Sequence, residues 1–509
     1  MGIPSYYKKL ASSIKGLVIA HHAPLKAGML LFDFNCMIYQ VVRDPSLRPF
    51  PGYGDKAAAG VWEDEVCQRI VDYTLTVWKE VGKPRAVFIG IDGVVPMAKI
   101  RQQRLRRFKS IWMAKEETER GIRTADPNRW DTNTITPGTA FMERLGRRLA
   151  ELCAVQKWTL SDASEPGEGE QKCMAFWRGA AGGGGDIVIY GLDADLILLC
   201  LLTRQMTGCA APVWLFRETA EWEKSNAGGF MRMSIDSLAA ALKLGDLEST
   251  LEYVAAMSLL GNDFVPHSLS MKIRDGGHGY VTKGLQRIRS AGFTLIRQQE
   301  GLWVYSREGL AELCKPVAAE EEDLILSAIK HKGQRTNYHD FMMLPTTWRE
   351  EERVLCIGQG QLHANWEARM LREWCGEGVT AHAVCVKFAE SLQWVIDYYT
   401  AQRPIDTLWV YPWSLPPTWS SWIRYLESGG EMMREWSPAE PIQPQEQLAM
   451  VLPLESWHFI RDERLRALPQ KAPQYWPVGF GFFSAGRTLL WECEPEIPLL
   501  FIETIRSLK

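Results

Sequence analysis

Three short apolar runs in the first 200 residues each end in a carboxylate. Met29-Leu30-Leu31-Phe32 delivers Asp33, Ala86-Val87-Phe88-Ile89-Gly90-Ile91 delivers Asp92, and Ile187-Val188-Ile189-Tyr190 leads through Gly191-Leu192 to Asp193-Ala194-Asp195. Runs this short and this apolar read as strands buried on both faces, the kind found in parallel sheets. Helical periodicity over Trp62–Val81, between the first two runs, makes a β-α-β unit. In such sheets ligand sites gather beyond the carboxyl ends of the strands, where these acids fall.

Two further acid placements share the pattern. In Glu165-Pro166-Gly167-Glu168-Gly169-Glu170-Gln171-Lys172, Glu168 and Glu170 precede an apolar helix expected near Cys173. As isolated features they compensate a helix dipole, an effect of about 0.3–1 kcal/mol each. Asp263, in Gly261-Asn262-Asp263-Phe264, follows the helical stretch Glu252–Leu260, a poor place for an acid on dipole grounds and one that calls for a cationic neighbour. Together Asp33, Asp92, Glu168, Glu170, Asp193, Asp195 and Asp263 would repel one another strongly if they converged without compensation. Hard divalent cations with oxygen ligands remove that cost, and Mg²⁺ usually shares its shell with substrate phosphates. Two such ions about 3.5–4 Å apart serve phosphodiester chemistry.

After Asp92, Gly93 and Pro96 break the strand, and a helix is expected from Met97. Lys99, Gln103, Arg106 and Arg107 fall at i, i+4, i+7 and i+8 and share one face. A solvated basic helix explains a charge run by itself, whereas beside an acid cluster the same row suits phosphate. The stretch Lys115–Asp131 reads as a solvated polar loop or a cap over the site, and the acid run Glu320–Asp323 as a solvated helix start or linker. A Gly tetrad, Gly182–Gly185, introduces the third strand, and helical periodicity runs through Trp366–Tyr399.

Composition narrows the function. A formal net charge of −3 excludes a wholly basic nucleic-acid binder and leaves room for a local basic patch beside acids. The 11 Cys show no C-x-x-C spacing, so neither a zinc knuckle nor a disulfide framework is expected. No charged-then-apolar leader stands at the N-terminus, no run is long and uninterrupted enough to span a bilayer, and no Walker-A pattern is present.

These stretches resemble the 5′→3′ exoribonuclease family of the Xrn/Rat type, a relative of flap endonucleases and other PIN-like nucleases. The resemblance is carried by Met1-Gly2-Ile3-Pro4, Asp33-x-Asn35, Asp92 to Phe108, Thr136-Pro137-Gly138-Thr139, Pro166 to Glu170, Tyr190 to Asp195 and Gly261 to Phe264. It extends more weakly through Leu392-Gln393-Trp394-Val395, Trp409-Val410-Tyr411-Pro412 and Gln447 to about Arg506. It implies an α/β PIN-like fold: a central, mainly parallel sheet flanked by helices in a catalytic domain over 1–275, a mainly helical domain over 276–445, and a small mixed α/β region over 446–509.

By the same resemblance the seven acids would hold two Mg²⁺ ions, with Mn²⁺ as a substitute, and Lys99, Gln103, Arg106 and Arg107 would hold a 5′-monophosphate. Tyr39 and Trp409 would stack on the terminal base, Tyr39 standing where the family usually has His. Gln171 and Pro412-Trp413-Ser414 also depart from the family pattern. The implied activity is processive hydrolysis of single-stranded RNA to nucleoside 5′-monophosphates, in the cytoplasm or the nucleus, with no membrane partner and with protein partners open. A structure-specific nuclease on DNA flaps and a non-catalytic RNA-binding protein are the rival expectations. The large C-terminal domains of the longer family members are not expected here.

Overall fold

In the computed structural model the described residues are 3, 5–126, 128–180, 184–219, 229–335, 340–358, 360–436 and 439–509. Most of the Met1–Pro4 motif and the first two glycines of the tetrad therefore lie outside them. The chain divides into two compact units. The sheet unit comprises Leu10–Gly245, Glu440–Trp476 and Leu500–Lys509, and the helical unit Met1–Lys9, Asp246–Ala439 and Pro477–Leu499.

The sheet unit is built on seven strands: β1 (Val18–Ala20), β2 (Ala27–Asp33), β3 (Ala86–Gly90), β4 (Thr159–Ser161), β5 (Asp186–Tyr190), β6 (Val213–Glu218) and β7 (Phe230–Ser234). Their order is β1-β7-β6-β5-β2-β3-β4. The pairings from β6 across to β4 are parallel, and only the β7 and β1 edge is antiparallel. β2, β3 and β5 are almost continuously buried, as parallel strands covered on both faces must be. In register, Leu31 faces Phe88 on one side and Ile189 on the other, while Asp33 pairs with Gly90. The acid-bearing ends of the three strands are thereby brought level. β2 lies between β3 and β5, so the chain order reverses at its end, where α/β sheets open a crevice.

Helices flank this sheet. The chain order in this unit is α1 (Tyr6–Ser13, which begins in the helical unit), α2 (Asn35–Val42), α3 (Lys56–Glu80), α4 (Met97–Glu119), α5 (Ala140–Gln156), α6 (Gly169–Gly179), α7 (Asp195–Met206) and α8 (Ile235–Leu242), and α9 (Leu247–Ser258) follows in the helical unit. α3 starts where the Asp55 side chain accepts the Ala57 and Ala58 N–H groups at 3.0 Å, and Thr139 caps α5. Asp186, Ile187 and the rest of β5 follow directly on the described end of the glycine run.

Two sequence expectations need correction. The polar stretch Lys115–Asp131 begins as helix rather than loop, since α4 runs on to Glu119. The i,i+4 pairs Lys115–Glu119 (3.9 Å) and Glu116–Arg120 (3.1 Å) support that extension. The acid run at Glu320–Asp323 is not wholly solvated. Glu321 is buried, and its carboxylate accepts the N–H groups of Trp419 (3.0 Å) and Ser420 (3.2 Å) at the start of the helix Trp419–Glu427.

The helical unit contains α9, the helices Gly277–Ser290, Arg307–Ala319, Glu321–Gln334 and Ala381–Thr400, and the hairpin Ile296–Gln299/Leu302–Tyr305. The periodic stretch Trp366–Tyr399 is two helices, broken at Gly376 and Gly378, whose positive φ suits residues without a Cβ. The C-terminal residues are shared out: the pair Phe482–Phe483/Glu494–Pro495 lies in the helical unit, and the helices Pro444–Val451 and Ile502–Leu508 in the sheet unit. No helix among the described residues is long and apolar enough to cross a membrane.

Candidate active site

Asp33 is the last residue of β2, Asp92 lies two residues past β3, and Glu170 is in the first turn of α6. Among the described residues, these three offer carboxylate oxygens that all lie within 4.8 Å of one another. Two glycines make that approach possible. A Cβ on Gly169 would stand 2.7 Å from Asp33 Oδ1, and one on Gly191 would lie 3.3 Å from Asp33 Cβ and 2.3 Å from Leu196 Cδ1. Asp92 is held from two sides. The Gly169 N–H donates to its Oδ1 at 2.7 Å and the Asn35 amide to its Oδ2 at 2.8 Å, while Asn35 Oδ1 accepts the Asp92 N–H at 3.2 Å.

The electrostatics explain what this cluster requires. Burial raises the Asp33 carboxyl well above its usual range, and the charges of Asp193, Asp92 and Asp195 push it further, against Lys99. Asp193 and Asp195 thus belong to the same electrostatic neighbourhood. Burial and then Glu168 raise Glu170, again opposed by Lys99. Asp92 is raised by burial and Glu168, against the Gly169 N–H and Lys99. Carboxylates so crowded hold their charge only beside a cation. All the donors are oxygens of hard character, and the orienting bonds to Asp92 are of the kind that fix a ligand's direction, so the set suits a hard divalent cation.

On α4 the basic row divides by burial. Lys99 pairs with Glu168 at 2.6 Å, both buried, and so links the row to the acids. Gln103 and Arg107 are also buried, and among the described residues Gln103 Oε1 and Arg107 Nη1 have no hydrogen-bond partner. Burial lowers the Arg107 guanidinium to about 10. Buried polar atoms without partners are costly, and a guanidinium donor left in this state suits an anion. Arg106 is exposed. Arg104, one helix position from Gln103, is used differently. It donates to the carbonyls of Met450 (2.6 Å) and Tyr475 and lies over the Phe108 ring at 4.7 Å.

Asp263 lies in the helical unit, in the turn after α9 where Asn262 Oδ1 accepts the Phe264 and Val265 N–H groups at 2.9 Å. Trp409 is in the same unit, 4% exposed, stacked on Trp394 at 5.4 Å, with its indole N–H on Glu390 at 3.2 Å. Tyr39, in the sheet unit, is part-exposed, with the Arg43 guanidinium 5.5 Å from its ring centre. Sequence reasoning assigned no role to Asn35, to Lys172, or to Gln447, whose buried amide oxygen accepts the Val95 N–H at 2.9 Å just ahead of α4. Asn35 had a signal, two residues past a strand-end acid; Gln447 opens a stretch of family resemblance, but nothing in it pointed to a partner more than 300 residues away.

Fold and site define a class: an α/β protein whose parallel strands end in a buried set of acids able to hold a cation, with a basic helix alongside. Residues 1–209 match the family model described as XRN 5′-3′ exonuclease N-terminus. The human 5′-3′ exoribonuclease 1 is 26% identical over an alignment that takes in 100% of this chain and 34% of the relative. The 5′-3′ exoribonuclease 2 of Schizosaccharomyces pombe is 32% identical over 54% of this chain and 34% of its own length, and that of Yarrowia lipolytica 31% over 42% and 27%. The chain thus spans about a third of the length of these relatives.

Proposed function

We propose that the chain is a processive 5′→3′ exoribonuclease that hydrolyses single-stranded RNA from a 5′-monophosphate and releases nucleoside 5′-monophosphates. Mg²⁺ is the resident cation of this reading, two ions per site, with Mn²⁺ as a substitute. The observation that carries it is the convergence of Asp33, Asp92 and Glu170 within 4.8 Å at a sheet switch point, next to a buried basic row. The relatives named above act, by their names, from 5′ to 3′ on RNA, which supports the direction and the polymer.

When bound, two cations supply an activated water and neutralise the leaving oxygen. Asp33, Asp92 and Glu170 would hold them, with Asp193 and Asp195 adding charge from the turn between β5 and α7 and Glu168 tying the acids to Lys99. Arg107 receives the terminal phosphate through a donor otherwise unsatisfied, Gln103 lies beside it on the same face, and Arg106 meets the solvent side of the phosphate. Asp263 and the stacking pair Tyr39 and Trp409 remain part of the proposal on the strength of the family resemblance. The proposal places the protein in the cytoplasm, with the nucleus as the alternative, which fractionation decides.

The test follows decay of a 5′-phosphorylated, 3′-labelled RNA with and without Mg²⁺. Mononucleotide release by the wild type, and its loss in Asp195→Ala with an unchanged melting temperature, are expected. Wild-type speed in that variant would remove the metal assignment. Internal cuts on a flapped DNA would favour the structure-specific rival, and Mg²⁺-independent binding without decay the non-catalytic one.

A further inference from the structure

Asp92 and the pair Glu168 and Glu170 come from two neighbouring loops, and one side chain outside the acid set joins them. Lys172, in the first turns of α6, donates from Nζ to three backbone carbonyls: Ile91 at 2.7 Å, Asp162 at 2.9 Å and Glu165 at 2.8 Å. An ammonium has three N–H donors, and all three are engaged. Ile91 immediately precedes Asp92; Asp162 and Glu165 belong to the turn that leads to Glu168 and Glu170.

The backbones of the same two loops are zipped together. The Gly93 N–H donates to Gly167 O at 2.9 Å and the Gly167 N–H to Val94 O at 2.8 Å. The approach is so close that a Cβ on Gly93 would stand 1.8 Å from Glu165 O. The Ile91 N–H also donates to Ser161 O at 2.9 Å, so backbone bonds hold both ends of the Asp162–Glu165 turn and Lys172 braces its middle against the strand end. None of the three acceptors is a carboxylate, so no ion pair explains the residue. The charges of Asp92, Glu165 and Asp162 act on the ammonium from where it stands, without a direct pair.

We propose that Lys172 is a positioning residue for the cation site: it sets the distance between the Asp92 loop and the Glu168–Glu170 turn, and therefore the spacing at which Asp92 and Glu170 share an ion. This rests on the proposed metal-dependent function. Residues that orient metal ligands typically change metal affinity by about 10–100-fold when removed. The carbonyl acceptors make a further demand, that the replacement carry donors.

The experiment measures Mn²⁺ binding to the RNA-free full chain by calorimetry, together with kcat and KM on the 5′-phosphorylated RNA. Lys172→Met is expected to bind Mn²⁺ about tenfold or more weaker and to lose kcat with KM little changed, while Lys172→Arg, which keeps donors, recovers most of both. If Lys172→Met proves poorly folded, Lys172→Gln, which retains two donors, is expected to fall between Arg and wild type on the one side and Met on the other. Wild-type Mn²⁺ affinity in a folded Met or Gln variant overturns the proposal. Absence of Mn²⁺ binding in the wild type overturns the functional reading itself, which is a different outcome.

Discussion

Gly169 shows how far a single atom governs the site. Its missing Cβ leaves room for Asp33 Oδ1, which would otherwise lie 2.7 Å away, and for Gly90 O at 2.8 Å. Neither neighbour can retreat, one being backbone and the other a buried carboxylate. Gly169→Ala is expected to destabilise the fold by about 1–3 kcal/mol and to suppress metal-dependent decay almost completely. A thermal melt and the RNA assay check this together, and normal decay would contradict the close approach. The strand-end acids were legible in the sequence because an apolar run followed by Asp has few other structural meanings. Lys172 was not legible: a lysine next to two glutamates reads as their ion-pair partner, and its choice of three carbonyls instead depends on where the two loops meet.

At the scale of the element, α4 carries two buried arginines with opposite duties. Arg104 satisfies the carbonyls of Met450 and Tyr475. Arg107 keeps a donor without a partner among the described residues. Arg104→Ala is expected to cost about 2–4 kcal/mol, since it orphans two carbonyls and removes packing on Phe108, yet to leave any preference for a 5′-phosphate over a 5′-hydroxyl intact. Arg107→Ala should preserve the melting temperature and reduce that preference roughly ten- to hundredfold, the equivalent of one charged hydrogen bond. Comparing both variants on both RNAs decides, and equal behaviour of the two would refute the division. Helical spacing places the two arginines nearly on one face, and only what packs there separates them.

The helix Trp419–Glu427 depends on Glu321 in a way that pH should expose. Burial raises this carboxyl from 4.5 to about 7, against the two backbone N–H groups it accepts. A folded-state value above the unfolded one means the folded chain holds the proton more tightly. The resulting stability is complete below about pH 4.5 and is lost as pH climbs to about 7, by up to about 3 kcal/mol. Melting curves of wild type against Glu321→Gln across that range should diverge accordingly, and parallel curves would show that the carboxyl does not titrate there. The sequence presented four acids in a row, a pattern that reads as solvated; which one turns inward is decided by the partner helix nearly a hundred residues later.

On the scale of the whole molecule, the three consecutive regions expected from sequence, 1–275, 276–445 and 446–509, and the two compact units are organised differently, because residues 440–476 and 500–509 return to the sheet unit. Local pattern carries no information about such returns. A fragment ending at residue 275 lacks Gln447 for the Val95 N–H and the carbonyls of Met450 and Tyr475 for Arg104. It is expected to be insoluble or molten, with neither Mn²⁺ binding nor RNA decay. Circular dichroism and calorimetry on the fragment test this, and a cooperative melt with intact Mn²⁺ affinity would show that the returning segments are dispensable.

The late return also has a temporal side. A ribosome delivers the acid-bearing strands roughly 250 residues before the segments that secure α4. Throughout that interval the nascent polypeptide carries α4 without the carbonyls that Arg104 holds in the sheet unit, so the acids and the basic helix beside them settle only after those later segments emerge.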